Sequence, residues 1–138
     1  MSKKLLVLCL AIPFFIFGCG HKAKNGNVSN VKNHEVKSEI YTEEEISDAI
    51  ENIKDYFMVE FKDCTLNELY YIGDEENEKE QQYRNDNEYE YIVLISSFYV
   101  DKSNNEGSLN TDYTYTDWKW ILSRRNGGEW SHLDHGYC

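Results

Sequence analysis

Proline occurs once in these 138 residues, at Pro13, and 14 lysines and arginines face 25 aspartates and glutamates. The shortage of positive charge leaves a formal net charge of −11, a field that repels phosphate backbones and argues against a nucleic-acid partner. The longest apolar run, Leu5 to Phe17, falls short of the roughly 20 residues that a spanning helix needs. A glycine-rich phosphate loop, a nucleophile elbow and a paired metal motif are all missing, so the sequence assigns no catalytic residue and no cofactor. Aromatic residues, by contrast, are plentiful: 3 Trp, 11 Tyr and 6 Phe. So many rings in a chain with 41% hydrophobic residues exclude a disordered acidic protein and point to one small folded domain.

Residues 1–18 read as an address. Lys3 and Lys4 precede the apolar run, which ends in Ile16-Phe17-Gly18-Cys19. A small residue before a cysteine at that place resembles a lipobox, in which the cysteine is linked to diacylglycerol and becomes the mature N-terminus. Cys19 is therefore the expected lipidation site, and the chain is expected on the extracytoplasmic face of the cell membrane. An ordinary secretory signal that happens to hold a cysteine, or a retained anchor, is the alternative. Residues 19–40 have few large apolar side chains and carry Lys22, Lys24, Lys32 and Lys37. Their composition predicts a flexible tether of about 25 Å, whose lysines either face anionic lipid while the acidic domain, residues 41–138, is repelled from it, or merely reflect composition bias.

That domain opens on a capping box: Thr42 stands three residues before Glu45, with Tyr41 and Ile46 placed as a hydrophobic staple. Ile46, Ala49, Ile50, Ile53, Phe57 and Phe61 then recur at three- and four-residue spacing, which demands a helix with one buried face. From Cys64 to about residue 72 the period drops to two and predicts a strand, with Cys64, Leu66, Glu68 and Tyr70 on one face. Asp74 to Arg84 has helix-forming composition and almost no apolar face, so an exposed helix or a loop would fit. Tyr89 to Val100 is apolar on both parities, as a central strand requires. Tyr113 to Arg124 predicts a strand with Trp118, Trp120 and Leu122 on one face and Tyr113, Tyr115, Lys119 and Ile121 on the other. Arg125-Asn126-Gly127-Gly128 supplies a hairpin turn, and Glu129 to Tyr137 closes the sheet.

The expected fold is α+β, with a long helix packed on a curved antiparallel sheet of about four strands. Ser96-Ser97-Phe98, Val100-Asp101, Gly107-Ser108-Leu109-Asn110, Thr114-Tyr115, Trp118-Lys119-Trp120-Ile121-Leu122 and Gly136-Tyr137 resemble the pattern of a poorly characterised family of Gram-positive bacterial lipoproteins. The resemblance covers roughly residues 43–137 and implies an NTF2-like, or cystatin-like, domain on the outside of the cell. It implies no established reaction and transfers no catalytic residue.

Four groups of residues are candidates for chemistry. Cys64 and Cys138 would remain after processing, as a disulfide closing a long loop or as a buried thiol and a frayed terminal one. Asp101, Ser103, Asn105 and Asp112 have calcium-loop spacing, but Glu106 stands where such a loop wants glycine, so a solvated hairpin loop fits better. His132 and Asp134 would share a strand face and could hold zinc with His135 or Cys138, although solubility and packing explain such residues equally. Tyr91, Tyr115, Asp117, Trp118, Trp120, Trp130 and His132 could line a ligand pocket in the curved sheet, or the rings could simply be core. Two functions follow: a non-catalytic, lipid-anchored interaction module, favoured here, or a small enzyme or small-molecule binder using the sheet pocket. The acidic run from Asp74 to Glu90 is either a solvated face or a dock for a basic protein.

Overall fold

The computed structural model describes residues 22–137. Helix α1 spans Glu43–Glu60 and begins at the capping box, with Thr42 Oγ1 accepting from Glu45 N–H and Glu45 Oε2 accepting from Thr42 N–H. Such a cap stabilises a helix start by about 1 kcal/mol. Ala49, Ile50, Ile53 and Phe57 form its buried face. Strand β1 is Cys64–Tyr71, α2 is Asp74–Arg84, and β2, β3 and β4 are Glu90–Val100, Tyr113–Arg124 and Ser131–Gly136. The strands form a single antiparallel meander in the order β1-β2-β3-β4. Asn126 and Gly127, both at positive φ, make the tight β3–β4 turn that the Asn-Gly pair predicts. The chain is α+β, with α1 laid across one face of the open sheet.

Three bulges change which side chains face that helix. Asn67 is the extra residue in β1, so Leu66 and Leu69 are both buried, and Cys64, Leu66, Leu69 and Tyr71 share the core face. The expected alternation, with Glu68 and Tyr70 beside Cys64, fails at this point. A second bulge sets Ser97 of β2 against Thr116 and Asp117 of β3, with Asp117 at φ 54°. Tyr115 thereby joins Trp118, Trp120 and Leu122 on the helix side rather than the far side. A third makes Leu133 the extra residue of β4. Each bulge shifts the two-residue period by one.

Strand β2 extends beyond the end of β1, and α2 satisfies the exposed length. Asn77 Nδ2 donates to Tyr91 O while its Oδ1 accepts from Val93 N–H. One turn later Gln81 repeats the pattern, donating to Tyr89 O and accepting from Tyr91 N–H. Two amide side chains four residues apart on a helix thus replace a missing β-strand partner. Tyr41 adds a fifth bond, from its hydroxyl to Tyr91 O.

Residues 24–40 depart from the free tether expected of them. Asn27 and Lys32 bridge the outer edge of β1, Gly26 N–H donates to Met58 O at the end of α1, and Lys24 and Asp63 exchange bonds. Ser38 Oγ and Glu39 N–H both donate to Asp74, which also accepts from Tyr71. Burial opposes ionisation of Asp74, but these three donors hold its carboxyl below the ordinary range. Backbone bonds to a strand edge need no apolar side chains, so composition carries no sign of them. Residues 1–21, including Cys19 and the signal expected before it, lie outside the described residues.

Candidate functional site

The helix-facing side of the sheet is filled with rings. Trp120 is fully buried against Phe61, Tyr56 and Phe57, at ring-centroid distances of 5.1, 6.1 and 6.4 Å, and its indole N–H donates to Ser96 Oγ at 2.7 Å. Tyr115 stacks on Phe98 with centroids 5.1 Å apart. Trp130 is also buried; its indole N–H donates to Glu45 O and its carbonyl accepts from Asn52 Nδ2. The pocket anticipated from Tyr91, Tyr115, Asp117, Trp118, Trp120, Trp130 and His132 is therefore not formed as one site. Tyr91 leaves the set altogether, its hydroxyl bonded to Asp86 and its ring under Arg84. Asp117 is exposed on the bulge. Trp118 borders an open space near the β2–β3 loop, and Trp130 borders a different one beside α1.

His132 and His135 come together because Leu133 bulges, with His135 Nδ1 and His132 Nε2 3.1 Å apart. His132 stacks on Tyr56 at 4.1 Å. Burial pushes both imidazoles below the ordinary histidine range, each ring being a poor place for a second proton, while Asp134 pulls weakly the other way. The same bulge takes Asp134 away from His132, which removes the expected zinc face. Among the described residues no three His, Cys, Asp or Glu side chains converge as a metal site. In the loop with calcium spacing, Asp101 Oδ1 instead accepts from Ser103 N–H and Oγ, and Asn104 is buried on Lys62 O. Cys64 has a free thiol, buried and directed at Lys62 O, and burial with nearby carboxylates pushes it up to about 12. Cys138, its expected partner, lies outside the described residues.

An open groove of about 670 Å³ lies between α1 and the β3–β4 turn. Glu44, Asp48, Glu51 and Asp55 line one wall at the spacing of a single helix stripe, and Glu129 stands on the other. Arg124 and Trp130 form the floor. The guanidinium of Arg124 is buried, bonded to Glu45 Oε1 and Glu90 Oε2 at 2.9 Å each, and lies 4.2 Å from the centroid of the Trp130 ring. Its charge is consumed by those partners. Glu44, Asp48, Asp55 and Glu129 have no ion-pair partner among the described residues. No family model, curated protein or solved structure matches the chain.

This groove was half legible. The carboxylate stripe of α1 is visible in the sequence as the polar side of an amphipathic helix. Nothing local marks Glu129 as a neighbour of Asp48. Only the hairpin that returns across α1 brings them to one groove.

Proposed function

We propose that this chain is a lipid-anchored interaction module, without catalysis, that receives a basic segment of a partner protein in the groove between α1 and the β3–β4 turn. The single observation carrying this reading is the contrast between two surfaces: the sheet interior is filled by Trp120 and its neighbours, while the groove is open and walled by carboxylates, of which Glu44, Asp48, Asp55 and Glu129 have no ion-pair partner among the described residues. Lysine and arginine side chains are the complement of such a surface, and its field would steer them in. The filled interior also speaks against the small enzyme reading, which needs polar groups converging in a cavity. A helix across an open four-stranded meander supports the NTF2-like, or cystatin-like, assignment of the domain. Lys3, Lys4, the apolar run and Gly18-Cys19 support attachment to the extracytoplasmic face through Cys19.

An oligolysine peptide tests the docking surface. Asp48→Lys with Asp55→Lys should weaken its binding by about tenfold, whereas Glu75→Lys with Glu78→Lys on α2, an equal change in net charge, should weaken it far less. Equal losses would mean that only the overall charge is sensed, and the groove would no longer be the site. Separately, Cys19→Ser should move the protein out of the membrane fraction; retention there would remove the lipid anchor.

A further inference from the structure

A second open space lies at the other end of α1, on the side of the sheet where Trp118 emerges. It measures about 290 Å³ and is bounded by Tyr56, Phe61, Trp118 and His135, with Glu60 and Glu106 at its rim. Phe61 stands steeply against two of the others, meeting Trp118 at 84° and His135 at 68° with centroids 6.4 and 5.4 Å apart, whereas Trp118 and His135 lie stacked at 28° with centroids 5.9 Å apart. Tyr56 stands 5.8 Å from His135 at 55°. Ring faces carry negative electrostatic potential, and Phe61 and Tyr56 stand at an angle to the Trp118–His135 stack, so rings of more than one orientation bound the space. No lysine or arginine borders the space, and neither Glu60 nor Glu106 has an ion-pair partner among the described residues.

We infer that this space binds a compact organic cation carrying an alkylated ammonium group. A cation beside ring faces is attracted by their quadrupoles, most where water is excluded. The two carboxylates add a diffuse attraction without fixing direction, as suits a charge spread over alkyl groups. A primary ammonium has three N–H donors that must be satisfied on leaving water, and ring walls cannot satisfy them. An alkylated ammonium has few or none, so rings compete with water for it. The volume lies at the small end of ligand cavities, which selects a head group rather than an extended ligand. This site shares no residue with the groove proposed above for a basic partner.

Choline is the probe, titrated against the full chain with tryptophan fluorescence and the melting temperature as readouts. Choline should saturate both signals, and its neutral isostere 3,3-dimethylbutan-1-ol should bind about tenfold more weakly or worse. Glu60→Gln with Glu106→Gln should weaken choline by about tenfold, while Glu75→Gln with Glu78→Gln on α2 should leave it unchanged. Trp118→Leu should abolish binding. If that variant does not fold, the glutamine pair carries the test, because Glu60 and Glu106 are both exposed. The inference is overturned by absence of saturation, by equal binding of the isostere, by equal effects of the two glutamine pairs, or by lysine amide binding as tightly as choline. None of these outcomes alters the oligolysine result, so the two readings fail separately.

Discussion

Gly26 and Phe57 pack so tightly that a Cβ on Gly26 would lie 2.4 Å from Phe57 O and 2.8 Å from Phe57 Cδ1. Both sides of this contact are held: Phe57 is fully buried in the core, and Gly26 N–H is bonded to Met58 O. The obstructing atom is helix backbone, which cannot move without disturbing α1. Gly26→Ala should therefore destabilise the protein by about 1–3 kcal/mol, the usual result of overpacking. Chemical denaturation would measure it. An unchanged midpoint would mean that residues 24–27 detach from α1 at little cost and behave as the tether that their composition suggests.

Asn77 is 2% exposed and serves both Tyr91 O and Val93 N–H. Asn77→Ala leaves the Val93 N–H buried without an acceptor and should cost about 1–3 kcal/mol. Asn77→Asp keeps the acceptor but loses the donor and buries a charge, so it should be no better. Tyr91 O would keep its bond from Tyr41 in either case. Urea unfolding curves decide: near-wild-type stability for both variants would show that α2 is not needed to finish the edge of β2.

The paired imidazoles make the domain sensitive to mild acid. Burial, and for His132 also the neighbouring His135, lowers both below the reference value of 6.5, against a weaker opposing pull from Asp134. The unfolded chain therefore takes up protons first as pH falls below 6.5, so this contribution is fully present above that pH and is lost below it. Glu45, Asp74 and Asp86 act with the same sign at lower pH, because their hydrogen bonds hold them below ordinary carboxylate values. The melting temperature should fall between about pH 7 and about pH 5, and His132→Gln with His135→Gln should flatten that slope. An unaltered slope would assign the sensitivity to other groups.

Cys64 should be inert in the folded protein. With its thiol pushed up to about 12 and only 3% of the residue exposed, almost none is thiolate at neutral pH. Alkylation followed at the Cys64 peptide by mass spectrometry should proceed only as fast as the domain opens and should become rapid in denaturant. Labelling of the native protein at the rate of a small free thiol would contradict the burial described. A peptide linked to Cys138 would reveal the disulfide instead.

The sequence alone determined α1, the four strands and nearly every boundary, while it left Asp74–Arg84 open between a helix and a loop. Thr42 and Glu45 mark the start of α1, Asn126-Gly127 marks the β3–β4 turn, and the apolar doublets of Tyr91–Ile95 mark a strand covered on both faces. These are local signals, because a cap, a turn and a repeat period each depend on neighbours within a few residues. Tertiary structure decided what those elements present. Bulges at Asn67, opposite Ser97 and at Leu133 turn Leu69, Tyr115 and His135 toward the helix, and a bulge answers to the twist and fit of paired strands rather than to its own residues. Asn77 and Gln81 look like any polar residues of an exposed helix until an unpaired length of β2 lies beside them. Glu129 joins the α1 stripe, and Trp118 meets Tyr56 and Phe61, across long stretches of chain. Both candidate sites are thus products of packing, since the charges and rings that compose them acquire neighbours only when the sheet closes against α1.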